Sequence, residues 1–250
     1  MTSTFASPTP SAPVALTPDT TIGTLVAARP LFARIFEQLG IDYCCGGKLS
    51  LAAACERLKL DLGTTLKFLE STAALIQAGP PEVDAAAMSL TALADHIEAT
   101  HHAYLKEELP RLVEMAERVA AKHSERDARF PEIAAATREL AEEMICHMQK
   151  EEFILFPLVR QIDAGRGNAS AALLAGPIHQ MEDEHQAAGD ATARLRLLTD
   201  GFALNSAICN THRALLDGLA RFETDLHRHV HKENNVLFPR ALALATGQPA

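Results

Sequence analysis

The sequence contains no tryptophan, only 5% of its residues are aromatic, and it has no runs of β-branched residues. These residue types are usually enriched in β-strands, so their scarcity argues against an extensive sheet. Alanine and leucine, which dominate the composition, are strong helix formers. We therefore predict an all-α fold, and the 250 residues provide enough chain for one large domain or two smaller ones.

Long apolar segments are also missing. No run reaches the roughly 18 apolar residues that a membrane-crossing helix needs. Residues 1–18 have neither the basic nor the apolar region of a signal peptide, and their Thr, Ser, Pro and Ala bias predicts a disordered tail. We therefore expect no membrane association.

Acidic residues outnumber basic residues, and the formal net charge is -9. Such a protein is a poor partner for nucleic acid or for an anionic membrane surface. The five cysteines, two of them adjacent, do not have the spacing of a disulfide framework. A reducing, cytoplasmic location is the prediction that fits these thiols.

Turn and capping residues divide the chain into segments. Gly79, Pro80 and Pro81 interrupt the helical pattern and predict a linker over residues 79–87. Residues 19–78 have the pattern of a small helical domain with a Cys-Cys turn. Its helices are predicted over residues 21–28, 31–39, 50–58 and 64–77, with Thr20 or Thr21 as the cap of the first helix and Ser50 as the cap of the third.

Residues 88–246 contain long stretches with the 3.6-residue apolar period of helices. Short connections between these stretches predict an up-down-up-down four-helix bundle. Pro110 is expected to kink or break its helix, and Pro157 and Pro239 are expected to bend theirs, because the proline ring clashes with the carbonyl group four residues back. The four helices are predicted over residues 89–121, 131–163, 177–198 and 206–245.

One motif occurs twice in the predicted bundle. Residues 147–157 read His-Met-Gln-Lys-Glu-Glu-Phe-Ile-Leu-Phe-Pro, and residues 229–239 read His-Val-His-Lys-Glu-Asn-Asn-Val-Leu-Phe-Pro. In each copy a His precedes a Glu by four residues, which places both side chains about 40° apart on one helix face. Such a pair can bind one metal ion or two neighbouring ions.

The motif belongs to a longer duplication, because single histidines lie 45 and 44 residues before its two copies. Two such helix hairpins packed face to face would bring four imidazoles and two carboxylates together. This set contains no thiolate and suits two iron ions first, with manganese or zinc as alternatives. The glutamates and a solvent-derived oxo or hydroxo group are expected to bridge the ions. The predicted ligands are His102, His147, Glu151, His185, His229 and Glu233.

Acidic residues accompany these candidate ligands. Glu98, Glu143 and Asp225 each precede a candidate histidine by four residues, and Glu184 directly precedes another. They are candidates for hydrogen-bond partners of the ligand imidazoles or for a gate for protons and cations. Equally, they can lie at the solvent-exposed edge of their helices. Surface or satisfied core roles are predicted for the remaining histidines, His96, His101, His123, His179, His212, His227 and His231.

The adjacent Cys44 and Cys45 lie in a Gly-rich turn. They can serve as a thiol pair for redox exchange, transient metal capture or partner docking. The alternative is a tight turn with one buried and one exposed thiol. Cys55 is expected in a core, and Cys146 is expected to pack rather than to bind a metal.

Taken together, these motifs resemble the Repair of Iron Centres proteins, a di-iron family within the haemerythrin-like superfamily. The resemblance covers roughly residues 20–245, and the predicted ligands match the family's ligands position by position. Oxygen-carrying haemerythrins use more His and fewer Glu, which argues against oxygen transport. The matching segments are residues 42–47 (Asp-Tyr-Cys-Cys-Gly-Gly), 150–152, 154–157, 176–178, 181–182, 184–185 and 233–242.

The resemblance implies a haemerythrin-like bundle preceded by a small helical domain. It also implies repair of iron-sulfur clusters damaged by nitric oxide or peroxide, with iron supplied from the di-iron centre to damaged iron-sulfur proteins. The alternative is a protein that binds nitric oxide at this centre or reduces it enzymatically. A homodimer formed through the N-terminal domain is a further expectation.

Overall fold

The computed structural model describes residues 14–75, 84–165 and 171–247. Within these ranges every regular element is helical, apart from one isolated β-bridge between Thr21 and Ser50. The all-α prediction is therefore confirmed. The chain divides into two compact units between Ser89 and Leu90. Most of the predicted tail (residues 1–13) and most of the predicted linker (residues 79–83) lie outside the described residues.

The N-terminal unit begins with two capped helices. Helix α1 (Ile22–Ala28) starts where the Thr21 hydroxyl accepts from the backbone N–H of Thr24, as predicted. Helix α2 (Phe32–Leu39) ends at Gly40, whose φ of 69° is the left-handed conformation that glycine adopts without a steric penalty.

A 3-10 turn (Cys45–Lys48) follows, and α3 (Leu51–Leu58) begins at the predicted cap Ser50. Helix α4 (Leu62–Leu75) starts two residues before its predicted position. Aromatic side chains fill the core of this unit: Phe32, Phe36 and Tyr43 are all at most 1% exposed. A short 3-10 helix (Ala85–Ala87) lies within the predicted linker.

The second unit is a bundle of four long helices, three of them composite. Helix α5 packs on α8, α6 packs on α7, and α9 contacts both α7 and α11, which is the antiparallel order predicted for an up-down-up-down bundle. None of the helices in the described parts of the chain combines the length and apolar character needed to cross a membrane. The elements are α5 (Leu90–Ile97), α6 (Ala103–His123), α7 (Arg129–Lys150), α8 (Phe156–Asp163), α9 (Ala171–Leu198), α10 (Asn210–Lys232) and α11 (Phe238–Ala245).

One turn of π-helix joins the parts of each composite helix: Glu98–His102, Glu151–Leu155 and Glu233–Leu237. In the last two, the N–H of the Phe before the proline donates to the carbonyl group five residues back. This wide turn directly precedes Pro157 and Pro239, so both helices continue past their prolines. The apolar periodicity did not indicate these turns.

Helix α6 continues through Pro110, so this proline does not break it. Two details of the predicted helices were wrong. Helix α9 includes Pro177 in its interior instead of starting there. The fourth helix begins at Asn210 rather than near Ser206, which lies in a separate 3-10 turn (Leu204–Ser206). Packing of an amphipathic helix outweighs the local cost of a proline at these positions.

Helices α6 and α10 approach each other closely at Gly218. A Cβ atom built there would lie 2.6 Å from the Cδ2 atom of Leu112 and 3.1 Å from the Oε1 atom of Glu108. Leu112 is 1% exposed and has little room to move. The small residue is therefore required by packing between the two helices.

Gly218→Ala should destabilise the bundle by about 1–3 kcal/mol, because overpacking outweighs the gain of about 1 kcal/mol from the better helix former. Chemical denaturation measures the change. The matched control is Gly176→Ala in α9, where a Cβ atom meets nothing within 4 Å. That variant should be neutral or slightly stabilised, and equal effects at both positions would contradict the packing argument.

Candidate metal centre

The six predicted ligands meet in the interior of the bundle. All of them are at most 2% exposed: His102, His147, Glu151, His185, His229 and Glu233. Every composite helix contributes ligands at or next to its π-helical turn, whereas α9 contributes His185 from a regular helix. Helices with π-helical turns often carry functional residues at them.

The side chains form two groups that share both glutamates. One group contains His102 and His229, whose Nε2 atoms lie 3.2 Å apart. The other contains His147 and His185, with their Nε2 atoms 2.9 Å apart. Two nitrogens bound about 2.1 Å from one ion and about 90° apart are separated by about 3.0 Å. The imidazole spacing therefore fits one ion in each group.

The shared glutamates lie between these imidazole pairs. The Oε2 atom of Glu151 is 3.3 Å from the Nε2 atoms of both His102 and His147. Glu233 approaches His229 through Oε1 at 2.9 Å and His185 through Oε2 at 3.1 Å. Each carboxylate thus reaches both imidazole pairs, which is the arrangement expected of ligands that bridge two ions.

Within the described residues, Glu151 has no hydrogen-bond partner for either carboxylate oxygen, although the side chain is fully buried. Burial of an ionised carboxylate without compensation costs several kcal/mol, and such groups are normally paired or bound to metal. A pair of cations between the imidazoles would supply the missing partner. The donor set of nitrogen and oxygen atoms fits iron.

The two carboxylates also perturb the imidazoles. Burial lowers the pKa of His147, but the nearby charge of Glu151 outweighs burial and raises the pKa to about 9. Burial raises the pKa of Glu233, yet the charge of His229 holds the pKa well below its usual range. The centre therefore favours positive charge beside ionised carboxylates.

Three of the four imidazoles donate a hydrogen bond from Nδ1, the nitrogen that faces away from the centre, to a side chain of another helix. His102 Nδ1 lies 2.8 Å from Glu152, His147 Nδ1 lies 2.9 Å from Glu184, and His185 Nδ1 lies 2.8 Å from Asn234. Such bonds fix the tautomer and direct the Nε2 lone pair toward a metal. Of the acidic candidates chosen from the sequence, Glu184 is thus the one that contacts a candidate ligand imidazole.

Lysines hold the two acidic partners from the surface side. Lys106 donates to Glu152 at 2.6 Å, and Lys150 donates to Glu184 at 2.5 Å. Burial raises the pKa of Glu184, but its bonds with Lys150 and His147 outweigh burial and lower the pKa. Both acceptors therefore remain ionised and keep their imidazoles oriented.

His229 differs from the other three, because its Nδ1 atom is buried and has no hydrogen-bond partner in the described parts of the chain. The ring of His101 stacks on the ring of His229 instead, with the two ring centroids 5.3 Å apart. The two ring nitrogens of His101 contact Asp225 at 2.8 Å and Lys232 at 2.6 Å. His101 is thus a satisfied core residue, one of the two roles predicted for the other histidines.

The other three acidic candidates have different surroundings. Glu143 is exposed and makes no hydrogen bond to any of the four candidate imidazoles, while Asp225 contacts His101 rather than His229. Glu98 pairs with Arg160 at 2.6 Å.

Glu152 and Asn234 were not among the residues predicted from the sequence. Both directly follow a candidate ligand glutamate at equivalent positions of the duplication, and that equivalence could have found them.

In the N-terminal unit, Cys44 is buried and Cys45 is partly exposed, which matches the tight-turn alternative. The hydrogen bond with Cys45, together with burial, raises the pKa of Cys44 well above its ordinary value. A thiol in that state is a poor redox nucleophile. Cys55 is buried as predicted, whereas Cys146 is exposed rather than packed.

Comparison with protein families matches both units. Residues 93–241 match the model of the Hemerythrin HHE cation binding domain, and residues 18–73 match a Domain of Unknown function (DUF542). The fold and the buried His/Glu groups thus define the second unit as a haemerythrin-like bundle with a di-iron centre.

Curated proteins are similar to the chain over most of its length. Proteins from Yersinia pseudotuberculosis serotype IB (strain PB1/+) and Yersinia pestis (strain Pestoides F) are each 40% identical over 222 residues, covering 88% of this chain and 96% of theirs. A protein from Musicola paradisiaca (strain Ech703) is 38% identical over 88% of this chain and 95% of its own. All three are named iron-sulfur cluster repair protein YtfE. The chain belongs to the Repair of Iron Centres family of haemerythrin-like proteins.

Replacing Glu152 or Glu184 by glutamine should lower iron affinity about 10- to 100-fold, because the imidazoles of His102 and His147 lose their charged acceptors. Iron retained after a timed chelator challenge measures the effect. Glu143→Gln is the matched control, since Glu143 is exposed and makes no bond to a candidate ligand. Equal iron loss in the control and the two variants would refute this role.

Proposed function

We propose that this protein repairs iron-sulfur clusters damaged by nitric oxide or peroxide, and that it supplies iron from its di-iron centre. The supporting observation is the buried set of four imidazoles and two carboxylates in a chain that resembles named iron-sulfur cluster repair proteins along both of its units. Damaged iron-sulfur proteins in the cytoplasm are the proposed clients.

In this proposal the six buried side chains are the iron ligands. His102 and His229 bind one ion, His147 and His185 bind the other, and Glu151 and Glu233 bind both. Glu152, Glu184 and Asn234 orient three of the imidazoles. Iron bound there supplies a redox-active metal that can be passed to a cluster.

The donor set suits release as well as storage. Ferrous iron lies near the weak end of the affinity order for divalent metals, and the two groups contain no thiolate that would hold it firmly. A damaged cluster offers thiolate and sulfide donors, which bind ferrous iron more favourably. Transfer from the imidazole and carboxylate ligands to a cluster is therefore downhill in this proposal.

The test is recovery of a damaged iron-sulfur enzyme incubated with the iron-loaded protein under anaerobic conditions. Recovery should exceed that from an equal concentration of free ferrous iron. His185→Ala should abolish this excess by removing a ligand, while the exposed-site control Glu143→Gln should retain it. No excess over free ferrous iron with the iron-loaded wild-type protein would overturn the proposal.

A second candidate function is binding or reduction of nitric oxide at the same centre. Each group provides two imidazoles and two carboxylates, so each ion has four protein donors and retains positions for a small ligand. A homodimer is compatible with either function and is tested by light scattering after gel filtration.

Anaerobic titration of the diferrous protein with nitric oxide separates these outcomes. A stable change in the absorption spectrum is expected for binding, and release of nitrous oxide into the headspace is expected for catalysis. His185→Ala should lose both signals, because one ion loses half of its imidazole ligands. An unchanged spectrum in the wild-type protein would exclude binding and reduction alike.

A further inference from the structure

We propose that Asp42, Cys44 and Cys45 form a second metal site, in the N-terminal unit, for a thiophilic divalent ion such as zinc or ferrous iron. This site is separate from the six ligands of the bundle. It goes beyond the proposed repair function and does not depend on it.

The three side chains are close enough together to bind one ion. The Sγ atoms of Cys44 and Cys45 lie 3.9 Å apart, and Cys44 Sγ lies 3.1 Å from Asp42 Oδ1. Two sulfurs bound tetrahedrally about 2.3 Å from one ion are about 3.8 Å apart, and an oxygen about 2.1 Å from the same ion is about 3.6 Å from each sulfur, so the oxygen needs to move by about 0.5 Å. One ligand atom from each residue lies within 4.8 Å of the others. The turn thus places three donors close to the separations that a single ion requires.

The carboxylate of Asp42 is held in place by the backbone of its own turn. The N–H groups of Cys44 and Cys45 each donate to Oδ1 at 3.0 Å, and the N–H group of Gly46 donates to Oδ2 at 2.9 Å. Hydrogen bonds of this kind orient a ligand before the metal arrives. Asp42 therefore does not have to be ordered when the ion binds.

Gly46 allows this close approach. A Cβ atom at position 46 would lie 3.2 Å from Asp42 Oδ2 and 3.3 Å from its Cγ atom. Because the φ angle of Gly46 is not in the left-handed region, backbone conformation does not account for the glycine. The absent side chain makes room for the carboxylate beside the two thiols.

The turn is anchored on both sides of the carboxylate. Ile41 and Tyr43 are buried in the core of the N-terminal unit, and the Tyr43 hydroxyl donates to Glu37 Oε1 at 2.9 Å. Asp42 between them is exposed, Cys45 is partly exposed and Cys44 is buried. The donors are therefore on a fixed turn that solvent reaches from the side of Asp42 and Cys45, as in sites that keep a coordination position for water or an incoming ligand.

Metal binding at this site exchanges protons for the ion and requires no redox step. Two thiols each release one proton to solvent, and one divalent cation takes the place of these two protons, so the site has the same net charge before and after binding. The contact between the Cys44 thiol and Asp42 Oδ1 is the position where the ion replaces a proton. No oxidant or co-reactant is required.

Cobalt(II) is the probe, added anaerobically with a non-thiol reductant to the full-length protein whose di-iron centre is loaded. The wild-type protein should bind one additional cobalt ion per chain and show an intense ultraviolet thiolate-to-cobalt band. Cys44→Ser and Cys45→Ser should lose the band. Cys146→Ser, which removes an exposed thiol of the bundle, should behave like the wild-type protein.

Asp42→Asn and Gly46→Ala test the carboxylate separately from the thiols. The asparagine side chain would keep the Oδ1 acceptor for the N–H groups of Cys44 and Cys45, but it would remove the charge and the Oδ2 acceptor of the Gly46 N–H group. Cobalt affinity should therefore fall at least about tenfold while the far-ultraviolet circular dichroism is unchanged. Gly46→Ala should weaken binding in the same direction by displacing the carboxylate. A wild-type protein without the band, a band that survives both serine substitutions, or unchanged affinity in Asp42→Asn would each overturn the proposal.

Discussion

The bundle depends on the burial of two carboxylates at its centre. Glu151 and Glu233 are both 0% exposed, and an ionised carboxylate in such surroundings costs several kcal/mol unless it is paired or bound to metal. Four imidazoles surround the pair, and three of them are held by partners reaching in from neighbouring helices. The same constraint explains why the candidate ligands come from all four helices. A set this polar is stable only when every helix contributes to it.

The duplication provides most of this arrangement. Each copy supplies a single histidine and a His-x3-Glu pair, and each metal group takes one imidazole from each copy. The two copies also share a pair of stacked rings, since Phe156 packs on His102 and Phe238 packs on His185. The Phe of each Phe-Pro pair therefore covers an imidazole of the centre. The apolar part of the repeated motif shields the polar part.

The convergence of the six side chains could be predicted from the sequence because each His-x3-Glu pair is local and the duplication relates the remaining histidines. The outer partners Glu152 and Asn234 were not predicted, because each of them contacts an imidazole on another helix. Spacing along its own helix does not indicate that Glu152 contacts His102, and only its equivalence to Asn234 in the duplication could have done so. The π-helical turns were missed for a related reason. A single widened turn does not disturb an apolar pattern that is read over several turns. Pro177 marked a plausible helix start, but its helix begins six residues earlier, at Ala171, because packing extends it.

The four imidazoles are not held equally, and this inequality has a consequence for the centre as a store. His147 and His185 both have outer hydrogen-bond acceptors, whereas on the other side only His102 has one and His229 has none among the described residues. A ring fixed by a hydrogen bond loses little freedom when it binds a metal, and an anionic acceptor also makes it a stronger donor. The two halves of a duplicated site have therefore become chemically distinct. If the centre supplies iron as proposed, we expect the ion beside His229 to leave before the ion between His147 and His185.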